Sequence, residues 1–289
     1  MTDRRPIAVL LLGACIIGAS PILVRLTGAG PAATGFWRLA TALPFLVLMS
    51  VRGGGEGRPS AAMLLAGAFF AADLAFWHYG IHYTSIANAT VLSNLTPILV
   101  TGVSWWLFKE RPRGLFLLGM AVAVAGAVGM GLARHGGVGP GNRPALGDLL
   151  SAATALWYGA YFLAVRQARA RASTTAVMLW TALVGLLPLA VVALVLREPF
   201  WPVAAAGWAA AVGLGLMHVT GQGAIAWALG RLPASLTAVV VLVQPVVAAA
   251  LGWIVFREAV TPGQALGGLA TLAGVALAQA SARAAKEAA

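Results

Sequence analysis

Asp73 is the residue with the clearest chemical potential, because it is the only acidic side chain deep inside an apolar run. A carboxyl in the middle of a run of about 20 apolar residues would lie in the hydrocarbon of a bilayer, where ionisable groups are costly. It would then either bind a ligand amine or exchange a proton, or stay neutral and hydrogen-bond to a neighbouring helix. We expect Arg38, two turns into an earlier run, to extend outward, which leaves Asp73 without a basic partner.

Aromatic and histidine side chains follow Asp73 toward the end of the same run. At helical spacing, Phe76, Tyr79 and Tyr83 share one face. His78 and Tyr79 are deep enough to form the wall of a cavity for an amphipathic ligand. The alternative is an anchoring belt at the membrane interface, which suits His82 and Tyr83 at the end of the run.

Two prolines are each preceded by a polar amide side chain. Pro97 follows Asn94, and Pro245 follows Gln244. A proline within a helix removes a backbone donor and frees a carbonyl one turn earlier, which predicts either a hinge or a simple kink repaired by nearby hydroxyls. We predict that Pro97 and Pro245 act as hinges in their helices, and that Asn94 and Gln244 contact the ligand.

Two further runs add candidates. Trp157 and Tyr161 are four residues apart and share a helical face, while Gln222 lies mid-run without an obvious structural role. The alternative for the two aromatic residues is that they pack against lipid or against a neighbouring helix. The complete set of predicted ligand-binding residues is Asp73, His78, Tyr79, Asn94, Trp157, Tyr161, Gln222 and Gln244.

The composition places these residues in a membrane protein. Of 289 residues, 60% are hydrophobic and 9% are charged, which excludes an ordinary soluble domain. Cutting at Pro, Gly and charge clusters gives ten runs long enough to span a bilayer. The sequence therefore predicts an all-α integral membrane protein with ten transmembrane helices. The runs are 6–26, 31–51, 60–81, 86–109, 113–133, 145–165, 174–196, 203–228, 233–257 and 261–281.

Basic residues predict the orientation. The net charge of +11 comes from residues in short loops rather than from one patch, which argues against nucleic acid as a partner. With the N-terminus in the cytoplasm, 13 of the 19 Lys and Arg residues lie inside. We predict a multi-pass protein of the inner (plasma) membrane with both termini cytoplasmic. The single cysteine, Cys15, excludes a disulfide framework.

An internal repeat relates the two halves. A shift of 148 positions aligns the third to fifth runs with the eighth to tenth, and predicts two units at 1–137 and 138–289. Five helices per unit is an odd number, so the second unit must be inverted in the membrane, as in many secondary transporters. The matched pairs are Pro97 with Pro245, Trp105 with Trp253, Phe108 with Phe256, and Lys109-Glu110 with Arg257-Glu258.

The repeat resembles the drug/metabolite transporter superfamily, EamA type, over essentially the whole chain. The segment from Thr96-Pro97 to Gly126, with its Lys109-Glu110-Arg111, carries the resemblance, and Phe36-Trp37-Arg38 resembles the usual opening of the second helix. The resemblance implies alternating access around a central cavity. It looks most like the exporters of amino acids and metabolites, and the implied activity is the export of small metabolites, amino acids including aromatic ones in particular.

The sequence is also compatible with other functions. Exporters of drugs or other metabolites share the pattern, and a membrane-embedded enzyme acting on a lipid-linked substrate would use Asp73 and His78 as acid and base. A channel would need an oligomer or a filter loop. The chain contains no phosphate-binding loop and no metal-ligand spacing, so we expect no ATP hydrolysis and no metal site. Because a carrier is the favoured interpretation, we predict that the protein is not an enzyme and needs no cofactor. The expected partners are a small-molecule substrate and the lipid bilayer, with the protein as a monomer.

Overall fold

The computed structural model describes residues 4–53, 57–83, 92–109, 111–133, 143–256 and 260–287. Within these residues all regular structure is helical, and nine helical segments are long and apolar enough to cross a membrane. The fourth predicted run is represented by a shorter apolar helix, because 84–91 lie outside the described residues. The all-α membrane fold predicted from the sequence is confirmed.

The helices follow the predicted runs closely. They are α1 (Arg5–Gly18), α2 (Ser20–Leu26), α3 (Pro31–Arg52), α4 (Ala61–Tyr83), α5 (Thr96–Phe108), α6 (Gly114–Leu132), α7 (Pro144–Arg169), α8 (Thr174–Val195), α9 (Ala204–Met217), a π-helix (His218–Gln222), α10 (Gly223–Leu229), α11 (Ala234–Val241), α12 (Val243–Phe256) and α13 (Pro262–Glu287).

Local chemistry starts several of these helices. Pro31 and Pro144 occupy the first turns of α3 and α7, where a missing backbone N–H costs nothing. Ser173 caps α8 by accepting a hydrogen bond from Ala176 N at 2.9 Å. Large apolar side chains cover the outside of the molecule, and Trp106 is 73% exposed. Such a surface suits hydrocarbon as the surrounding medium.

The two halves pack around a pseudo-two-fold axis. In the first half α4 packs against α7 and α8, and the equivalent segment of the second half, α9 to α10, packs against α1 and α3. The pairs α3–α8 and α6–α13 are each formed by two equivalent helices. Every one of these contacts therefore has its counterpart when the halves are exchanged, as an inverted repeat requires. The predicted boundary at 137/138, Glu110 and 257–259 lie outside the described residues.

Two tryptophans make equivalent hydrogen bonds across the α3–α8 pair. Trp37, the seventh residue of α3, donates from Nε1 to the carbonyl of Phe200, five residues beyond α8, at 2.8 Å. Trp180, the seventh residue of α8, donates to the carbonyl of Gly57, five residues beyond α3, at 3.1 Å. We call these bonds the Trp37 latch and the Trp180 latch. Because the start of each helix meets the end of the other, the latches lie on opposite membrane faces.

Equivalent glycines bring α6 and α13 into close contact. A Cβ built on Gly126 would lie 2.5 Å from Thr271 N, and one on Gly119 would lie 2.6 Å from Ala278 N. Gly267 and Gly274, their repeat equivalents, face the same interface. Backbones can approach this closely only without side chains, which is how helices associate in lipid.

Candidate functional site

Buried polar side chains from both halves converge in the interior. We call this group the central cluster, and its members are Arg38, Asp73, Tyr158, Tyr161, His218, Gln222 and Gln244. Four of the residues predicted from the sequence are among them: Asp73, Tyr161, Gln222 and Gln244. Their role in ligand binding stays a prediction, but the structure brings them together.

Arg38 lies inside the protein and not at its outer surface. It is only 5% exposed, and its guanidinium carbon lies 5.6 Å from the centroid of the Phe70 ring. The expectation that Arg38 extends outward, leaving Asp73 without a basic partner, is therefore wrong. The reason is that α3 packs against α8 and α9, so this side of the helix faces protein and not lipid.

Asp73 is the acidic member of the cluster and is 9% exposed. Its carboxylate interacts electrostatically with the guanidinium of Arg38. Among the described residues the two groups form no direct ion pair or hydrogen bond with each other. Opposite charges in a low-dielectric interior stabilise one another electrostatically even without a direct contact.

The second half contributes neutral polar groups. Gln222 donates from Nε2 to the hydroxyl of Tyr161 at 3.1 Å. The Tyr158 ring stacks on that of Tyr161 with centroids 6.0 Å apart, and its hydroxyl faces the amides of Gln222 and Gln244. Gln244 Nε2 is buried and has no hydrogen-bond partner among the described residues. The amide and phenol groups form a continuous polar wall beside Asp73.

His218 completes the cluster from an unusual backbone. It begins the π-helix that interrupts the eighth span, and its side chain is 0% exposed. The imidazole lies 5.3 Å from the Phe70 ring and is within electrostatic reach of Arg38. Single turns of π-helix widen a helix locally and occur often at functional sites.

Trp157 lies on the neighbouring face of α7. Its ring is stacked on Phe69 at 6.0 Å and meets Phe76 edge-on at 5.8 Å. Its Nε1 is buried without a hydrogen-bond partner among the described residues. An aromatic layer of this kind fits a cavity wall, and the predicted role of Trp157 stays open to test.

His78 and Tyr79 point toward the start of α3. The Nδ1 of His78 is 2.8 Å from the carbonyl of Pro31, while the hydroxyl of Tyr79 donates to the carboxylate of Glu198. Glu198 also accepts hydrogen bonds from the backbone of Ala32 at 3.2 Å and of Ala33 at 2.9 Å. Tyr79 therefore lies in a network at the Trp37 latch, and not in the central cluster.

The two prolines follow breaks between helices. Asn94 and Leu95 form a turn just before α5, which makes Pro97 its second residue. The Thr96 hydroxyl donates to the carbonyl of Ser93 at 2.9 Å.

Pro245 is the third residue of α12, which is separated from α11 by Leu242. Both spans are thus interrupted at equivalent places. The assignment of Pro97 and Pro245 to hinges, and of Asn94 to ligand contact, stays a prediction.

Sequence reasoning did not select Arg38, Tyr158 or His218. The signal for Arg38 was present, because a basic residue two turns into an apolar run is as costly in lipid as Asp73. His218 carried the same signal, because it lies within the run 203–228, but nothing in the sequence indicates the π-helix that it begins. The described residues contain no group of three His, Cys, Asp or Glu side chains placed to hold a metal ion.

The fold and the site define a polytopic helical membrane protein built from two inverted repeats around a polar interior. The model of the EamA-like transporter family matches residues 4–132 and 145–279, and the chain belongs to this family. A solved structure described only as "Crystal structure of protein" superposes with a TM-score of 0.82 at 21% identity, over 96% of this chain and 99% of that chain. No curated protein matches the chain.

Proposed function

We propose that the protein is a secondary transporter that exports small metabolites, most specifically amino acids including aromatic ones, by alternating access. The observation that carries the proposal is the central cluster, because both repeats contribute to it. Arg38 and Asp73 come from the first half, and Tyr161, Gln222 and Gln244 from the second. A site shared by two rocking halves is the arrangement that alternating access requires.

The latches support the same mechanism. Alternating access needs a closure at each membrane face, and inverted repeats supply equivalent closures from equivalent residues. The Trp37 latch and the Trp180 latch are such a pair. A cycle would break one while the other holds, which exposes the central cluster to one side at a time.

The charge pattern supports an amine-bearing substrate. The Asp73 carboxylate is a natural partner for a substrate ammonium group. The aromatic layer of Phe69, Phe76 and Trp157 offers a surface for an apolar or aromatic side chain. In the absence of substrate, Arg38 compensates the charge of Asp73 electrostatically.

The direction and orientation belong to the proposal. The excess of basic residues on the side of the N-terminus supports cytoplasmic termini and insertion in the inner (plasma) membrane. With this orientation the Trp37 latch closes the outer face. A substrate entering from the cytoplasm would reach the cluster after release of the Trp180 latch.

Flux of labelled amino acids into liposomes containing the purified protein tests the proposal. We expect saturable flux, and a loss of at least tenfold for amine-bearing substrates in Asp73→Asn. Flux proportional to concentration would indicate a channel, and turnover of a lipid without flux would indicate an enzyme. Either result would overturn the proposal.

A further inference from the structure

The unpaired polar atoms of the central cluster are almost all hydrogen-bond donors. Arg38 Nε is buried without a hydrogen-bond partner among the described residues, and it carries only an N–H group. The buried Gln244 amide has two N–H groups and only the Tyr158 hydroxyl facing it among the described residues, so at least one of its donors is left over. Both ring nitrogens of His218 are also buried and unpartnered, and one of them bears a proton in either tautomer. Buried polar groups are nearly always hydrogen-bonded in a working protein, so these donors require acceptors.

Arg38 and His218 lie beside the same aromatic ring, and Tyr158 lies between Arg38 and Gln244 in the network of polar contacts. Arg38 and His218 contact the Phe70 ring, at 5.6 Å and 5.3 Å from its centroid. Arg38 is also within electrostatic reach of Tyr158, whose hydroxyl faces Gln244. The donors are contributed by α3 of the first half and by the π-helix and the start of α12 in the second half.

We propose that Arg38, His218 and Gln244 form a subsite for a carboxylate group of the substrate. A carboxylate brings two acceptor oxygens and a negative charge, which together match a guanidinium, an imidazole N–H and an amide N–H. Asp73 stays available for an ammonium group in the same cluster. The substrate class is then a zwitterion that carries both charges. This inference rests on the proposed transport function and assigns the residues that recognise the carboxylate of its substrate.

The geometry disfavours a purely cationic substrate. An amine without a carboxylate would pair with Asp73 but leave the donors of Arg38, His218 and Gln244 unsatisfied. Each unsatisfied buried donor carries a desolvation penalty, so such a compound should bind more weakly than its parent amino acid.

Matched compounds test the subsite directly. The panel consists of neutral L-amino acids, phenylalanine included, with the amide and the decarboxylated amine of each. Competition for flux into liposomes gives the apparent affinities. We expect the acid to bind about ten- to a hundredfold more tightly than its amide, which corresponds to loss of a charge-assisted hydrogen-bond pair.

Variants assign the preference to residues. Arg38→Gln and His218→Gln should lower the acid-to-amide ratio toward one, whereas Arg38→Lys should retain part of it. Because the ratio is measured within one preparation, loss of folded protein cancels. Arg52→Gln is the control, since Arg52 is an exposed arginine at the end of the same helix.

The outcomes separate the two proposals. Equal affinity for acids and amides, or an unchanged ratio in Arg38→Gln, would overturn the carboxylate subsite while leaving transport intact. Saturable flux of amines alone would do the same. Failure of every compound to compete or to move would overturn amino-acid transport as well as the subsite.

Discussion

Trp37 and Trp180 occupy the same position in equivalent helices and hydrogen-bond to equivalent carbonyls on opposite membrane faces. Their donor–acceptor distances, to Phe200 and Gly57 respectively, are 2.8 Å and 3.1 Å. The Trp37 ring packs edge-on against Trp208 at 4.7 Å and close to Phe200 at 6.0 Å, whereas no aromatic ring of the described residues stacks on Trp180. The closures are therefore related by symmetry in their hydrogen bonds and differ in their packing.

Removing one latch should favour opening of its own face. Trp37→Phe and Trp180→Phe keep an aromatic ring but lose the indole donor, whose hydrogen bond contributes about 0.5–1.5 kcal/mol. We expect about a two- to tenfold change in the population of open states, in opposite directions for the two variants. Trp106→Phe is the control, because Trp106 is exposed on the lipid-facing surface.

Distances between spin labels measure this change. Replacing Cys15, the only cysteine, by serine gives a background for exposed reporter pairs at Leu26 with Arg197 and at Arg58 with Arg171. Trp37→Phe should lengthen the first distance only, and Trp180→Phe the second only. Lengthening of both distances in one variant would contradict independent closures.

Glu198 should stabilise the Trp37 face. Its carboxylate accepts from Ala32 N, Ala33 N and the Tyr79 hydroxyl, at the positive end of the α3 dipole. Glu198→Ala should lower the free energy of unfolding by about 1–2 kcal/mol, and Glu198→Gln by less, because the amide oxygen still accepts. Thermal unfolding in detergent measures both, and equal stability of all three proteins would refute the capping role.

The α6–α13 contact should not tolerate side chains. Gly126→Ala places a methyl group against the backbone of Thr271, so we expect helix separation and a large loss of folded protein. Gly129→Ala is the control on the same helix, because a Cβ there would meet nothing within 4 Å. The yield of monodisperse protein on size exclusion distinguishes them. Similar yields would show that the helices adjust to the added volume.

Gln222 should affect ligand affinity more than folding. Gln222→Ala removes the donor to Tyr161 and one polar wall of the central cluster. We expect about five- to thirtyfold weaker apparent affinity with a smaller effect on yield. Thr220→Ala is the matched control, because Thr220 is in the same π-helix but is exposed, and its hydroxyl donates to the backbone carbonyl of Leu216 one turn earlier. A fall in yield without a change in affinity would assign Gln222 to packing.

The architecture could be predicted from the sequence because the bilayer imposes a length and a composition on every span. The repeat could be predicted because Pro97 and Pro245 match at a shift of 148 positions, and proline within an apolar run is uncommon since it interrupts a helix. The predicted start of α3 at residue 31 agrees with Pro31. Asp73 was found because an acid in an apolar run is rare.

The arrangement within the site could not be predicted in the same way. Burial of Arg38 depends on which face of α3 packs against α8 and α9. A helix that is apolar on nearly all sides does not reveal from its sequence which face contacts protein and which faces lipid. The Tyr79–Glu198 bond joins residues far apart in the sequence, which no local pattern reveals. The π-helix that begins at His218 leaves no recognisable pattern in the sequence.

Counterflow tests the central claim of one interior site that opens to each face in turn. Liposomes preloaded with an unlabelled amino acid should accumulate the labelled compound several times faster than empty liposomes, because a loaded carrier returns through exchange. The Asp73→Asn protein should lose this stimulation together with flux. Uptake that is the same with and without internal substrate would contradict alternating access through the central cluster.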